Sequence, residues 1–179
     1  MEDRLIAEVV RRVLRELDGP GPAPRAPLPA PWPPVRVAVG ADHGGVELKD
    51  DLAAFLRMKK FTVVDCGTKG PGSVDYPDFA ARVGMEVRDG RCEAGIVVDT
   101  VGIGSSMAAN KIAGVRCALC HDIPTVLNSR KHNDANVLSL GAKVVSPALA
   151  RRMVALWLAT PCEGDRHLRR VAKIMELES

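Results

Sequence analysis

The chain of 179 residues is poor in aromatic side chains, with two Trp, one Tyr and three Phe. A core built from it must be aliphatic, drawn from Val, Leu, Ile, Ala and Met, and a hydrophobic content of 46% is enough to make one. There is no dense Lys/Arg stripe interleaved with aromatics, and the formal charge is only +3, so nucleic acid is not an expected partner. No apolar run approaches the ~20 residues of a membrane span. The N-terminus also lacks the apolar core of a secretory signal, which points to a cytoplasmic protein. Cysteines number five, an odd count without framework spacing, as suits a reducing compartment. Cys117 and Cys120 form a C-x-x-C inside GVRCALCHD, a predicted strand, where odd spacing sends the two thiols to opposite faces. Neither a redox pair nor a metal site is expected there.

Proline, by contrast, is concentrated in one place. Residues 18–34, DGPGPAPRAPLPAPWPP, hold eight prolines in seventeen positions. Without the N–H and with φ fixed, such a segment is neither helix nor central strand and is expected to be an extended spacer. Ahead of it, residues 1–17 carry Leu5, Ile6, Val9, Val10, Val13, Leu14 and Leu17 on one helical stripe, with charged residues around the rest. A short amphipathic helix on a stiff linker wants a partner surface, unless it frays or folds back on its own domain.

From Val35 onward short apolar runs alternate with helical segments. VRVAVG, FTVVDCG, AGIVVD, VRCALC and VLSLG read as five strands. Helices are predicted over GVELKDDLAAFLRMKK and DYPDFAARVGMEVRDG, from about Ser105, and over DIPTVLNSRKH, PALARRMVALWLAT and GDRHLRRVAKIMELE. This repetition predicts an α/β domain over 35–179, a Rossmann-like, five-stranded and mainly parallel sheet flanked by helices. In such sheets ligands bind outside the carboxyl ends of the strands.

Three segments there carry polar chemistry. GADHGG places Asp42 and His43 at a strand-to-helix turn. DTVGIGSS is neither a Walker loop nor a dinucleotide fingerprint, but Gly102 and Gly104 offer a row of backbone N–H groups at a helix start, suited to a phosphate or an oxyanion. NSRKHNDAN, read with the fourth strand and its helix, supplies His132, Asn133 and Asn136. Near the C-terminus Arg166 and Arg170 lie one helical turn apart, spaced to clamp a phosphate.

In this order VGADHGGVELK, DYPDFA, GSSMAANK, HNDANVLSLGAKV and GDRHLRRV resemble the ribose-5-phosphate isomerase B family and the related galactose-6-phosphate isomerase subunits. The likeness covers about 35–179. It implies aldose–ketose isomerisation of a sugar phosphate, without metal or cofactor. It also implies a ring-opening role for His132 and sugar contacts for Asn133, Asp42 and Tyr76. By the same likeness His43, Arg166, Arg170 and Lys143 grip the phosphate, and the backbone from Val101 to Ser105, with Gly102 and Gly104, cradles the enediolate. The family's site lies between two subunits, with the C-terminal arginines given by the partner, so a homodimer or homotetramer is implied. Residues 1–34 lie outside this likeness. They resemble the encapsulation peptides that recruit cargo into bacterial microcompartments, which implies shell or cargo proteins as partners and the microcompartment lumen as location.

One position departs from the pattern. Many family members carry their proton-abstracting cysteine where this chain has Asp99, and others use a glutamate at the position of Ser105. Thr100 and Val101 follow Asp99, with no hydroxyl at the second place. A carboxylate can remove a proton beside a carbonyl, so Asp99 is the expected base and Thr100 its neighbour in the catalytic loop. Cys66, after the second strand, is a less favoured substitute. The sugar stays open between ribose 5-phosphate and a hexose 6-phosphate, and a non-catalytic sugar-phosphate-binding or assembly protein is the alternative.

Overall fold

The computed structural model describes residues 36–70 and 72–178; the expected N-terminal helix and proline spacer lie outside them. The elements are β1 (Arg36–Ala41), α1 (Val46–Met58), β2 (Thr62–Asp65), α2 (Tyr76–Arg88), β3 (Ala94–Asp99), α3 (Ile103–Ala109), β4 (Cys117–Leu119), α4 (Ile123–Lys131), β5 (Val137–Gly141), α5 (Pro147–Ala159) and α6 (Arg166–Met175), closed by a 3-10 turn at Glu176–Glu178. All strand pairs are parallel, in the order β2-β1-β3-β5-β4. The expected α/β sandwich is therefore the observed one.

Period-two alternation divides the strands between two apolar layers. Val37, Val39, Ile96, Val98, Leu138 and Leu140 pack against Leu48, Leu52 and Leu56 of α1 and Met153 and Trp157 of α5. Ala38, Val97 and Val137 face the other way, onto Ala80, Val83 and Val87 of α2 and Ala109 of α3. The core is aliphatic as composition requires, with Trp157 its one fully buried large aromatic among the described residues. Cys120 belongs to the first layer while Cys117 packs on the second, so the C-x-x-C does split across the sheet.

The chain leaves β1 for β2 on one side and later returns to β3 on the other. The loops after β1 and β3 thus diverge at a topological switch point, where a crevice opens at the carboxyl ends of the strands. Helix α3 starts at Ile103, two residues before the expected Ser105, because Gly102 adopts φ 85° and turns the chain into the helix at once. A Cβ at Gly102 would lie 2.5 Å from Leu119 Cδ1 and 3.0 Å from the Leu140 carbonyl carbon, so only glycine fits.

Candidate active site

The loop after β3 answers its own charge. Asp99 ends the strand, 5% exposed, and its carboxylate turns into the glycine loop. Its Oδ1 accepts the Val101 amide at 2.8 Å and the Gly102 amide, and Oδ2 accepts the Ser105 amide at 2.9 Å. Burial pushes this carboxyl up, but the Ser105 hydroxyl and the amides of Ser105, Gly102 and Val101 outweigh it and hold the group below its ordinary value. The N–H row expected to receive an anion thus already holds one, supplied by the chain.

Around it the carboxyl edge gathers the other expected residues. Asp42 Oδ1 accepts the Gly44 amide at 3.0 Å, folding the turn after β1. A Cβ on Gly44 would lie 2.4 Å from Thr100 Oγ1, so the glycine lets the Thr100 hydroxyl close on this turn. His43 is exposed and accepts the Val74 amide on Nδ1 at 3.2 Å, which leaves Nε2 as the proton-bearing nitrogen facing outward. The Tyr76 ring covers Gly104, where a Cβ would come within 2.5 Å of Tyr76 Cζ. Ser139 Oγ donates to Gly102 O at 2.6 Å, and the Lys143 amide donates to Thr100 O at 3.0 Å, pinning the loop to the end of β5. The Cys66 thiol is pushed up to about 11 by burial, which removes it as a ready base.

His132 and Asn133 are not there. The sequence grouped them with the strand-end loops, but α4 starts beside the carboxyl end of β4 and runs back along the sheet. His132, its C-cap, and Asn133 therefore lie near the amino edge, where the Asn136 amide donates to Arg116 O and Val137 opens β5. Arg166 and Arg170, both exposed on α6, share that edge. His167 of α6 stacks on His132 with centroids 4.2 Å apart and planes 5° off parallel. One chain thus carries the cradle half of the set at one edge and the histidine–arginine half at the other.

Sequence reasoning missed two members of the second half. His167 is buried on the apolar face of α6 with Val171, a placement its i, i+4 spacing signals. Glu163 sits in the non-helical link before α6, where no periodicity marks it. Its amide donates to Lys131 O at 2.8 Å and its carboxylate pairs with Lys131 at 3.1 Å. Glu163 Oε2 lies 3.6 Å from His132 Nε2 and 3.9 Å from His167 Nε2.

A parallel sheet with an N–H cradle, acid/base side chains and a cationic helix defines the class: an α/β enzyme for a small anionic metabolite. Comparison with known proteins narrows it. The ribose/galactose isomerase family model matches residues 37–174. Ribose-5-phosphate isomerase B of Escherichia coli is 40% identical over 143 residues, 80% of this chain and 96% of the relative. D-erythrulose-4-phosphate isomerase of Pectobacterium atrosepticum is 37% identical over 139 residues, 77% of this chain and 91% of the relative. The solved structure of ribose-5-phosphate isomerase B from Clostridium thermocellum superposes with TM-score 0.79 at 46% identity, covering 80% of this chain and 97% of that one. The chain belongs to the ribose/galactose isomerase family, a family of sugar-phosphate isomerases.

Proposed function

We propose that the chain interconverts an aldose phosphate and its ketose, with ribose 5-phosphate and ribulose 5-phosphate as the first pair to test, in a site completed by a second copy of itself. The observation that carries this reading is the Asp99 carboxylate seated on the amides of Val101, Gly102 and Ser105. Asp99 is the base, and Thr100 helps move the remaining hydroxyl proton. The base takes the proton from the carbon beside the carbonyl. That C–H electron pair becomes the new C=C bond, and the carbonyl pair moves onto oxygen to give the enediolate. Return of the proton from Asp99 to the former carbonyl carbon, with the neighbouring hydroxyl proton passed by way of Thr100 to the enediolate oxygen, yields the ketose and restores the carboxylate. Negative charge leaves the carboxylate as it appears on the substrate oxygen, so one N–H row serves both. Substrate entry must therefore draw the carboxylate out of the cradle.

His132 opens the sugar ring, and Asn133, Asp42 and Tyr76 contact the sugar. His43, Lys143, Arg166 and Arg170 hold the phosphate. Because His132 and the arginines lie at the opposite edge from Asp99, these roles require the partner's amino edge to face the cradle, which supports a dimer with two shared sites. Exposed Ile103 and Met107 on α3 beside the cradle give such a contact an apolar surface. Residues 1–17 dock on microcompartment shell or cargo proteins through their apolar stripe, placing the enzyme in the lumen.

The first test is conversion of ribose 5-phosphate by the purified protein, with Asp99→Asn alongside. Turnover in the wild type and binding without turnover in the variant support the assignment. The filled cradle also suits a second reading, a sugar-phosphate-binding protein without catalysis. Binding of ribose 5-phosphate, with neither it nor a hexose 6-phosphate converted, would establish that one. For the N-terminal segment, residues 1–34 fused to a fluorescent protein should concentrate in assembled shells; a diffuse signal refutes the role.

A further inference from the structure

Donor atoms of His132, Glu163 and His167 lie within 4.8 Å of one another, a spacing compatible with a metal ion. The surroundings argue otherwise. Arg166 Nε donates to His167 Nε2 at 3.2 Å, and Lys131 already pairs with Glu163 Oε1, so two cations occupy the cluster. The two imidazoles are stacked in parallel, so their in-plane lone pairs do not converge on one point.

The same contacts fix a proton arrangement instead. His167 accepts from Arg166 on Nε2, so its proton is on Nδ1, which is buried with no hydrogen-bond partner among the described residues. Burial, the adjacent His132 and Arg166 hold this imidazole below its ordinary value, so it stays neutral against the His132 ring. A neutral Nε2 acceptor has nothing to offer a carboxylate. Lys131 holds Oε1 of Glu163, which leaves Oε2 to His132. On the far side of His132, the exposed Asn128 amide lies 2.9 Å from Nδ1. An amide N–H donated there places the His132 proton on Nε2, towards Glu163.

We propose that Glu163 is a positioning residue for His132: its carboxylate, 3.6 Å from Nε2, favours the proton on that nitrogen through its charge, so that Nδ1 is the nitrogen presented to the sugar, with His167 as the neutral plate against which the ring is set. The sugar oxygen takes the place of the Asn128 amide at Nδ1. This rests on the ring-opening role given to His132 above. The dyad has the logic of a carboxylate–histidine pair, in which the carboxylate fixes tautomer and orientation while the other nitrogen exchanges the proton with substrate.

The test uses the full chain and Glu163→Gln; Glu163 is exposed, so the fold tolerates the change. Imidazole nitrogen NMR at alkaline pH should find wild-type His132 as the Nε2–H tautomer and the variant, whose new side-chain amide can donate to Nε2 against the Asn128 amide at Nδ1, as a mixture of tautomers. With ribose 5-phosphate, which must open its ring, kcat should fall at least tenfold. With an aldotetrose 4-phosphate, whose esterified C4 oxygen cannot close a furanose, kcat should stay within twofold. Glu163→Asp should recover part of the loss. An unchanged tautomer in the variant, or equal loss on both sugars, overturns the proposal. If the wild type converts neither sugar, the isomerase reading fails, and the NMR result alone still decides whether Glu163 sets His132.

Discussion

Replacing Asp99 by Asn tests the filled cradle without any substrate. The wild-type carboxylate accepts three backbone N–H groups in a buried site. An Asn oxygen keeps Val101 and Gly102 but as neutral bonds, at a loss of about 1 kcal/mol each. Its amide nitrogen then meets the Ser105 N–H donor to donor, leaving a buried group unsatisfied for about 1–3 kcal/mol. The expected destabilisation at pH 7 is thus about 3–5 kcal/mol, or a Tm lower by roughly 10–15 °C. Urea unfolding followed by circular dichroism gives the first figure and a thermal scan the second. The sign with pH follows from the lowered Asp99 value. Its stabilisation is present above the ordinary carboxylate range and is lost as pH falls through the folded-state value. Wild-type and variant stabilities should therefore converge in acid. A variant within 0.5 kcal/mol of wild type at pH 7, or a gap that does not close in acid, would refute the placement of the carboxylate.

Two further substitutions probe how the frame holds its edges. Gly102→Ala puts a Cβ at φ 85° and against Leu119 and Leu140, so unfolding should be easier by about 2–4 kcal/mol in the same urea assay; a loss below 1 kcal/mol would contradict the tight turn. Asp134 is buried between Arg116 at 3.0 Å and Arg130 at 2.8 Å, under the His132 edge. Asp134→Asn leaves two buried guanidinium groups without their anion and should cost about 3–5 kcal/mol, read by the urea midpoint; a neutral result would mean that water reaches the pair.

Much of this was legible in the residues. β3 and β5 have the bounds expected from AGIVVD and VLSLG, because a strand buried on both faces shows as a near-continuous apolar run. Gly102 and Gly104 marked the cradle, since a turn that tight leaves few alternatives. The location of His132 was misread for a physical reason: local pattern gives a helix and its length, but which edge of the sheet a C-cap reaches depends on the direction the helix runs back. The start of α3 was missed by two residues because a positive φ at Gly102 leaves no mark in hydrophobic periodicity. Glu163 was hidden because its link has no period, and its meaning comes only from Lys131, His132 and His167 meeting in space. That Asp99 fills the cradle could be posed as a question from sequence, but needed the rotamer to answer.

Subunit complementation tests the shared site most directly. Asp99→Asn disables the cradle half and His132→Ala the ring-opening half, so each variant alone should convert ribose 5-phosphate at under about 1% of the wild-type rate. Mixed by co-expression, about half the dimers carry one of each, and in those one of two sites joins an intact Asp99 to an intact His132 from the other copy. Activity should then return to about a quarter of wild type. A mixture as inactive as its parents, with mixed dimers demonstrated by mass, would contradict a site built from two copies.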